Sequence, residues 1–300
     1  MNKKGQEIQF NWILIIIAGA IILAFFSIFI IKYIDLQEKK EAVEIGRTLD
    51  ESLRLLESTQ TLYLPIELGL TTQLEYFCID ETAFIKINNN YDQNIKDKVV
   101  YLPTNLKDNS LISWVYSFKQ PFFITNIIYL SSSSKKYYFY NAPEEIYNQI
   151  PNIFNKEKVN LLSNLPDNKD VKIISFGVLP TTFEDAEVLV VDTENKKLNF
   201  NGQEAYYYGD GLLFGAIFSD YEHYKCIENK LLKKIHVVSD VYSRKASYLS
   251  ATNPSCDYTK LKTALDKLKV INKIGEYEET EKFLTEENMK IYGGGCLAVF

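Results

Sequence analysis

The chain has 300 residues, 46% of them hydrophobic and 24% charged, with a formal charge of −6. That is globular composition, with enough chain for one or two cored domains. The negative balance, with no basic stripe beyond the N-terminus, excludes a nucleic-acid binder.

In chain order, residues 1–11 (MNKKGQEIQFN) form a short leader-like segment, and a transmembrane helix is expected over 12–34. Its heart, Trp12 to Ile31, carries no charge, and Ser27 is its one polar residue. At ~1.5 Å per residue this run matches the ~30 Å hydrocarbon core of a bilayer. A secretory signal has a shorter apolar region, ~7–15 residues, ahead of a small-residue cleavage site; here the run ends IIKYID.

Lys3-Lys4-Gly5 directly ahead of Gln6 and a long apolar helix resembles the class III signal of archaeal prepilins. The resemblance implies that a membrane peptidase cuts after Gly5, that Gln6 becomes the new N-terminus, and that the apolar helix stays on the mature protein. It covers about 30 residues of the chain. One departure is Phe10, at the fifth mature position, where pilin-like proteins often carry a glutamate that pairs with a neighbour's terminal amine. Without the cut, the same residues form an uncleaved signal anchor.

Orientation pulls two ways. Lys3 and Lys4 lie upstream of the span and Lys32, Lys39, Lys40 and Arg47 downstream, which by the positive-inside rule puts the body in the cytoplasm. The downstream cations alternate with Asp35, Glu38, Glu41 and Glu44 on one helix, where pairing blunts their field. An extracytoplasmic body is the expectation. No asparagine sits in an N-x-[ST] acceptor context, which suits a bacterial or archaeal surface as well as a cytosolic setting.

Residues 35–60 read as an amphipathic stalk helix, with Ala42, Ile45, Leu49, Leu53 and Leu56 at steps of three and four. The stripe is expected to dock on the body or to pair with a second copy. It is too short for a propagating coiled coil.

Residues 61–219 are expected to form a mixed-sheet α/β region. LEYFCID, FIKINN and KVVYLP read as short strands, with turns at Asn88–Asn90 and Asp108-Asn109. PFFITNIIYL and KKYYFYN flank Ser131–Ser134, read as a hairpin loop. A helix starting at Pro143 and the strand VKIISFGV then predict a right-handed crossover and a parallel pair. AEVLVVDTENKKLNFNG is a hairpin, and EAYYYG and LLFGAIFS are read as further strands, the second central.

Residues 220–300 read as a helical region packed on the same domain. Asp220 caps a long helix carrying Ile227, Leu231, Ile235, Val238 and Tyr242, and a second helix follows Cys256. A shorter acidic helix covers Glu276 to Phe283, with a restart at Thr285. The fold class is α/β: an N-terminal membrane and stalk helix, a mixed sheet, and a C-terminal helical pair.

Cys78, Cys226, Cys256 and Cys296 make no C-x-x-C and allow three full pairings. Cys226 and Cys256 bracket the long helix, about 36 Å apart, and cannot bridge within the ~7 Å limit. A third helix climbing back would bring Cys296 toward Cys256 and leave Cys78 for Cys226, and four unpaired buried cysteines are the alternative. An outside body would hold these as disulfides; a cytoplasmic one would keep four thiols. Glu222, His223 and Cys226 share a helix with the spacing of a thiol–imidazole or partial metal site, but His236 is more than three turns away. The acidic run from Glu276 lacks the spacing and glycine of a calcium loop. Phosphate-binding, nucleotide-binding and hydrolase motifs are absent.

No catalytic, cofactor-binding or metal-binding set is assigned, and no cofactor is expected. PFFITNIIYL, GAIFSDYEHYKC and the late cysteine also resemble, loosely, uncharacterised membrane-anchored proteins of small-genome archaea, a likeness that brings no activity with it. The expected function is a membrane-anchored structural or interaction protein (minor pilin, adhesin or envelope scaffold). Its partners would be the bilayer, a prepilin-type peptidase, other envelope proteins and, through the N-terminal helix, further copies. A tethered ligand-binding or sensing ectodomain is the alternative, and an aromatic pocket in the sheet region would favour it.

Overall fold

An unbroken run of helix-compatible residues becomes one long rod. In the computed structural model, which describes residues 3–58, 63–79, 82–95, 97–161, 164–179 and 183–300, α1 spans Lys3–Ser58. The side chains of residues 3–11 and 13 fall outside that description. The rod divides by environment. From Leu14 to Leu36 its side chains are exposed, whereas Ala42, Ile45, Leu49, Leu53 and Leu56 are buried. The stripe therefore docks on the body of its own chain.

It docks on the first of two six-stranded sheets. This contains β1 (Tyr63–Ile79), β2 (Thr82–Ile87), β3 (Tyr91–Asn94), β4 (Val99–Tyr101), β5 (Asn105–Lys119) and β6 (Phe123–Ser131), in the order β3-β2-β1-β5-β6-β4. All pairs are antiparallel except β4 with β6. Pro65 falls inside β1, where β1 pairs with β5 and has not yet met β2. It thus lies where a missing N–H removes no ladder bond on the β2 side. The Asp108-Asn109 turn is corrected: both residues lie within β5, opposite an irregularity in β1 between Glu67 and Thr72.

The second sheet holds β7 (Lys136–Tyr140), β8 (Lys156–Val159), β9 (Val171–Phe176), β10 (Glu187–Asp192), β11 (Lys197–Phe200) and β12 (Gln203–Tyr206), in the order β12-β11-β10-β9-β7-β8. The expected parallel pair is β7 with β9, with α2 (Glu144–Gln149) in the connection, and the β10–β11 hairpin forms as read. Ser131–Ser134 is not a hairpin loop. The strands it joins belong to different sheets, so it is the link between them. Asp108 pins that link by accepting from the Ser133 amide (3.1 Å) and hydroxyl (2.9 Å).

The other correction is LLFGAIFS, which is helical: α3 runs Gly209–Phe218 and is buried from Gly211 onward. Both sheets pack it. Trp114 and Tyr129 of the first sheet meet Phe214, and Tyr137 of the second meets Phe218. α4 (Tyr221–Thr252) follows, capped by Asp220, whose side chain accepts from the His223 amide. Beyond it α5 (Thr259–Leu268) and α6 (Tyr277–Gly293) complete the helical region, α6 running through Thr285 without a break. One continuous core joins both sheets to all of these helices, and a smaller cluster around Tyr138, Ile173 and Ala186 lies apart from it.

Candidate functional site

The exposed half of α1 is the feature the fold does not use for itself. Among the described residues it is the one helix long and apolar enough, by length and composition, to cross a membrane. Trp12 and Tyr33 stand at its two ends, about 31 Å apart along the axis. That is the spacing of the two interfacial aromatic belts of a bilayer. Gly5 and Gln6 lie within α1, upstream of Trp12.

The candidate chemistry on α4 turns out to be structural. Cys226 is bonded to Cys78, Cα to Cα 6.4 Å, and Glu222 is exposed. His223 is fully buried and faces two backbone carbonyls, Nδ1 at 2.8 Å from Leu102 O and Nε2 at 2.9 Å from Val100 O. Its ring also stacks on Tyr76, two residues before Cys78. Residues two apart on a strand share a face, as do residues three apart on a helix. The stack and the disulfide are therefore paired links between β1 and α4. Burial lowers the His223 pKa to about 3, although both carbonyl contacts pull the other way.

His223 is one of several basic side chains set against carbonyl groups. Lys230 donates to Ile95 O (2.8 Å) and Lys98 O (2.6 Å), so that α4 also covers the chain just ahead of the edge strand β4. Lys172 donates to Ala216 O (2.9 Å) and to Ser219 O at the end of α3. Burial lowers their pKa values to about 7 and about 8. A neutral amine still carries two N–H bonds, so both carbonyls keep a donor in either state. His236 likewise meets a carbonyl, Ile271 O at 2.8 Å. The histidines are held apart, each in its own packing.

The second disulfide, Cys256–Cys296, has its Cα atoms 6.0 Å apart, so both pairings expected from the helix geometry form. In the acidic run, Glu278 pairs with Lys196 at 2.5 Å and Glu281 accepts from the Tyr208 hydroxyl at 3.1 Å. No group of three or more His, Cys, Asp and Glu side chains able to hold a metal occurs among the described residues.

Several clefts open on the body among the described residues, and two of them lie on the sheets. One, of about 600 Å³, lies at the junction of the two sheets between Gln73, Lys107, Ser132, Lys135, Asp170 and Glu187. Lys135 is spent there on Glu187, at 2.6 Å. The other, of about 640 Å³, is lined by Tyr63, Trp114, Tyr116, Ser117, Lys119 and Gln149. In sequence, the abundance of Tyr (21) and Phe (18) points to aromatic packing without naming a residue of this cleft. Trp114 and Tyr116 sit in the later half of β5, a strand the sequence reading did not assign.

Comparison with known proteins finds no family model, no curated protein and no solved structure that matches this chain.

Proposed function

We propose that the chain is a single-pass, membrane-anchored structural or interaction protein of pilin-like export type, with its body outside the cytoplasm. Its role is that of a minor pilin, an adhesin or an envelope scaffold. The observation that carries this reading is α1 itself, half bare and apolar, half docked on a sheet of its own chain. A rod built in this way fixes the body to the bilayer and leaves the bare half for lipid, for envelope proteins or for other copies. The two disulfides support the extracytoplasmic side, because the cytoplasm keeps thiols reduced. The Lys3-Lys4-Gly5-Gln6 sequence supports processing by a prepilin-type peptidase.

Intact mass spectrometry of membrane-extracted protein, with and without reduction before thiol alkylation, tests both parts. The expected result is a mass beginning at Gln6 and alkylation after reduction alone. A mass that retains the leader, with four freely alkylated thiols, overturns the reading.

The aromatic cleft at Tyr63, Trp114 and Tyr116 favours a second reading, a tethered ligand-binding ectodomain that does not polymerise. Sedimentation of the full chain in detergent separates the two. Self-association supports the first reading, and a strictly monomeric chain supports the second.

A further inference from the structure

We propose that the β2–β3 turn, Asn88–Asn90, is the foot on which the body rests against the lipid headgroups of the bilayer that α1 crosses. The inference depends on reading α1 as transmembrane and adds a second, peripheral contact to it. Between Gly19 and Gly46 the helix contains neither glycine nor proline, and α1 runs unbroken through this stretch. Kinks arise at such residues or at inserted bulges, so the span and the docked half of α1 move as one rod.

Distances along that rod set the height of the body. Glu38 lies five residues past the interfacial Tyr33, about 7.5 Å along the axis. The headgroup layer is about 5–7 Å thick on each side of the hydrocarbon. Glu38 therefore stands at its outer margin, and Ala42, completely buried, is already inside the protein. No free stalk separates membrane from body.

The β2–β3 hairpin descends along α1 to this level. A Cβ on Gly46 would lie 3.1 Å from Gln93 Oε1 and 2.6 Å from the Tyr91 ring. Further along the hairpin, Asn90 Nδ2 donates to Glu38 Oε2 at 3.4 Å. Asn88 and Asn89 turn the chain with positive φ (49° and 57°), a conformation asparagine tolerates. The Asn88 side chain accepts from the Gln73 amide at 2.8 Å, which braces the turn, and Asn89 is exposed at its tip.

The collar beside the foot carries Lys32, Lys39 and Lys40 against Asp35, Glu38 and Glu41, charges that cancel. The contact is thus made by uncharged carboxamides, which donate to phosphate and ester oxygens and accept from headgroup donors.

All four cysteines are disulfide-bonded, so an introduced thiol is unique. The full chain is reconstituted in phosphatidylcholine vesicles with a fluorophore on Asn89→Cys, on Ser58→Cys or on Ala24→Cys. Ser58 is exposed at the far end of α1, about 37 Å beyond Tyr33. Headgroup spin-labelled lipid is expected to quench the Asn89 label several-fold more than the Ser58 label. Acyl-chain spin-labelled lipid is expected to quench the Ala24 label. Equal quenching at Asn89 and Ser58, with Ala24 quenched, overturns the foot and leaves the anchor standing. An unquenched Ala24 label overturns the anchor, and the foot with it.

Discussion

His223 shows how a residue that looks chemical in sequence can be structural in space. Its two carbonyl neighbours favour the charged ring, yet complete burial dominates and lowers the pKa from 6.5 to about 3. As pH falls, the unfolded chain takes up the proton first. The stabilisation is therefore complete above pH 6.5 and is lost progressively between 6.5 and about 3. Asp220 and Glu228 titrate nearby with the opposite sign, because burial raises both carboxyls. They remain in a His223→Gln variant and cancel in a comparison with it. The expected outcome is that wild type is more stable than His223→Gln at pH 7 and that the gap narrows by pH 5, read from denaturation midpoints. A gap of constant size across that range would mean that the ring does not titrate on unfolding.

At the scale of elements, side-chain periodicity carried the parts that have one wet face, and it failed where no face is wet. The α1 stripe from Ala42 to Leu56 was readable because Glu44, Arg47, Thr48, Glu51 and Arg54, all exposed, stand between its buried apolar residues, with half-exposed Leu55 an exception beside buried Leu53 and Leu56. This contrast makes a prediction. Leu53→Ala should destabilise the body by about 2–5 kcal/mol through the cavity it leaves. Leu55→Ala, half-exposed, should stay within about 0.5 kcal/mol of wild type. Both are measurable by denaturation in detergent, followed by fluorescence in a Trp12→Phe background that leaves Trp114 as the reporter.

By contrast, α3 is packed on all sides, so its apolar run had no period to separate helix from strand. Its glycines were the hidden signal. A Cβ on Gly215 would sit 2.6 Å from Cζ of the buried Tyr101, so the helix needs glycine to lie this close to the first sheet. Asp108-Asn109, in the polar first half of β5, read as a turn because both residue types favour turns, and the strand is set instead by its pairing with β1. The candidate site was legible in the same uneven way. The apolar half of α1 is a one-dimensional feature of composition, whereas the aromatic cleft is assembled from β1, β5 and the end of α2, which no local pattern links.

For the whole molecule, the disulfides fasten the helical region at two very different ranges. Cys78–Cys226 spans 148 residues and ties β1 of the first sheet to the start of α4, across the second sheet's entire sequence. Cys256–Cys296 spans 40 residues and closes the helical region on itself around α5 and α6. Loop-closure entropy in the unfolded chain grows only logarithmically with loop length, which puts the two bonds at about 5 and about 4 kcal/mol. The difference between them lies more in what each one holds than in its magnitude. Without Cys78–Cys226, the Tyr76–His223 stack must keep β1 and α4 in register with the help of the core alone. Without Cys256–Cys296, the sheets keep their contacts with α3 and α4, and the loss is confined to the C-terminal segment. Hydrogen exchange should resolve this. Cys78→Ser/Cys226→Ser is expected to raise exchange in β1, β4 and α4 together, and Cys256→Ser/Cys296→Ser in α5, α6 and the tail that Asn288 holds through the Val299 amide. Equal loss of protection over the whole body in both variants would instead make the two sheets and the helical region a single cooperative unit, for which either bond serves as a general fastening.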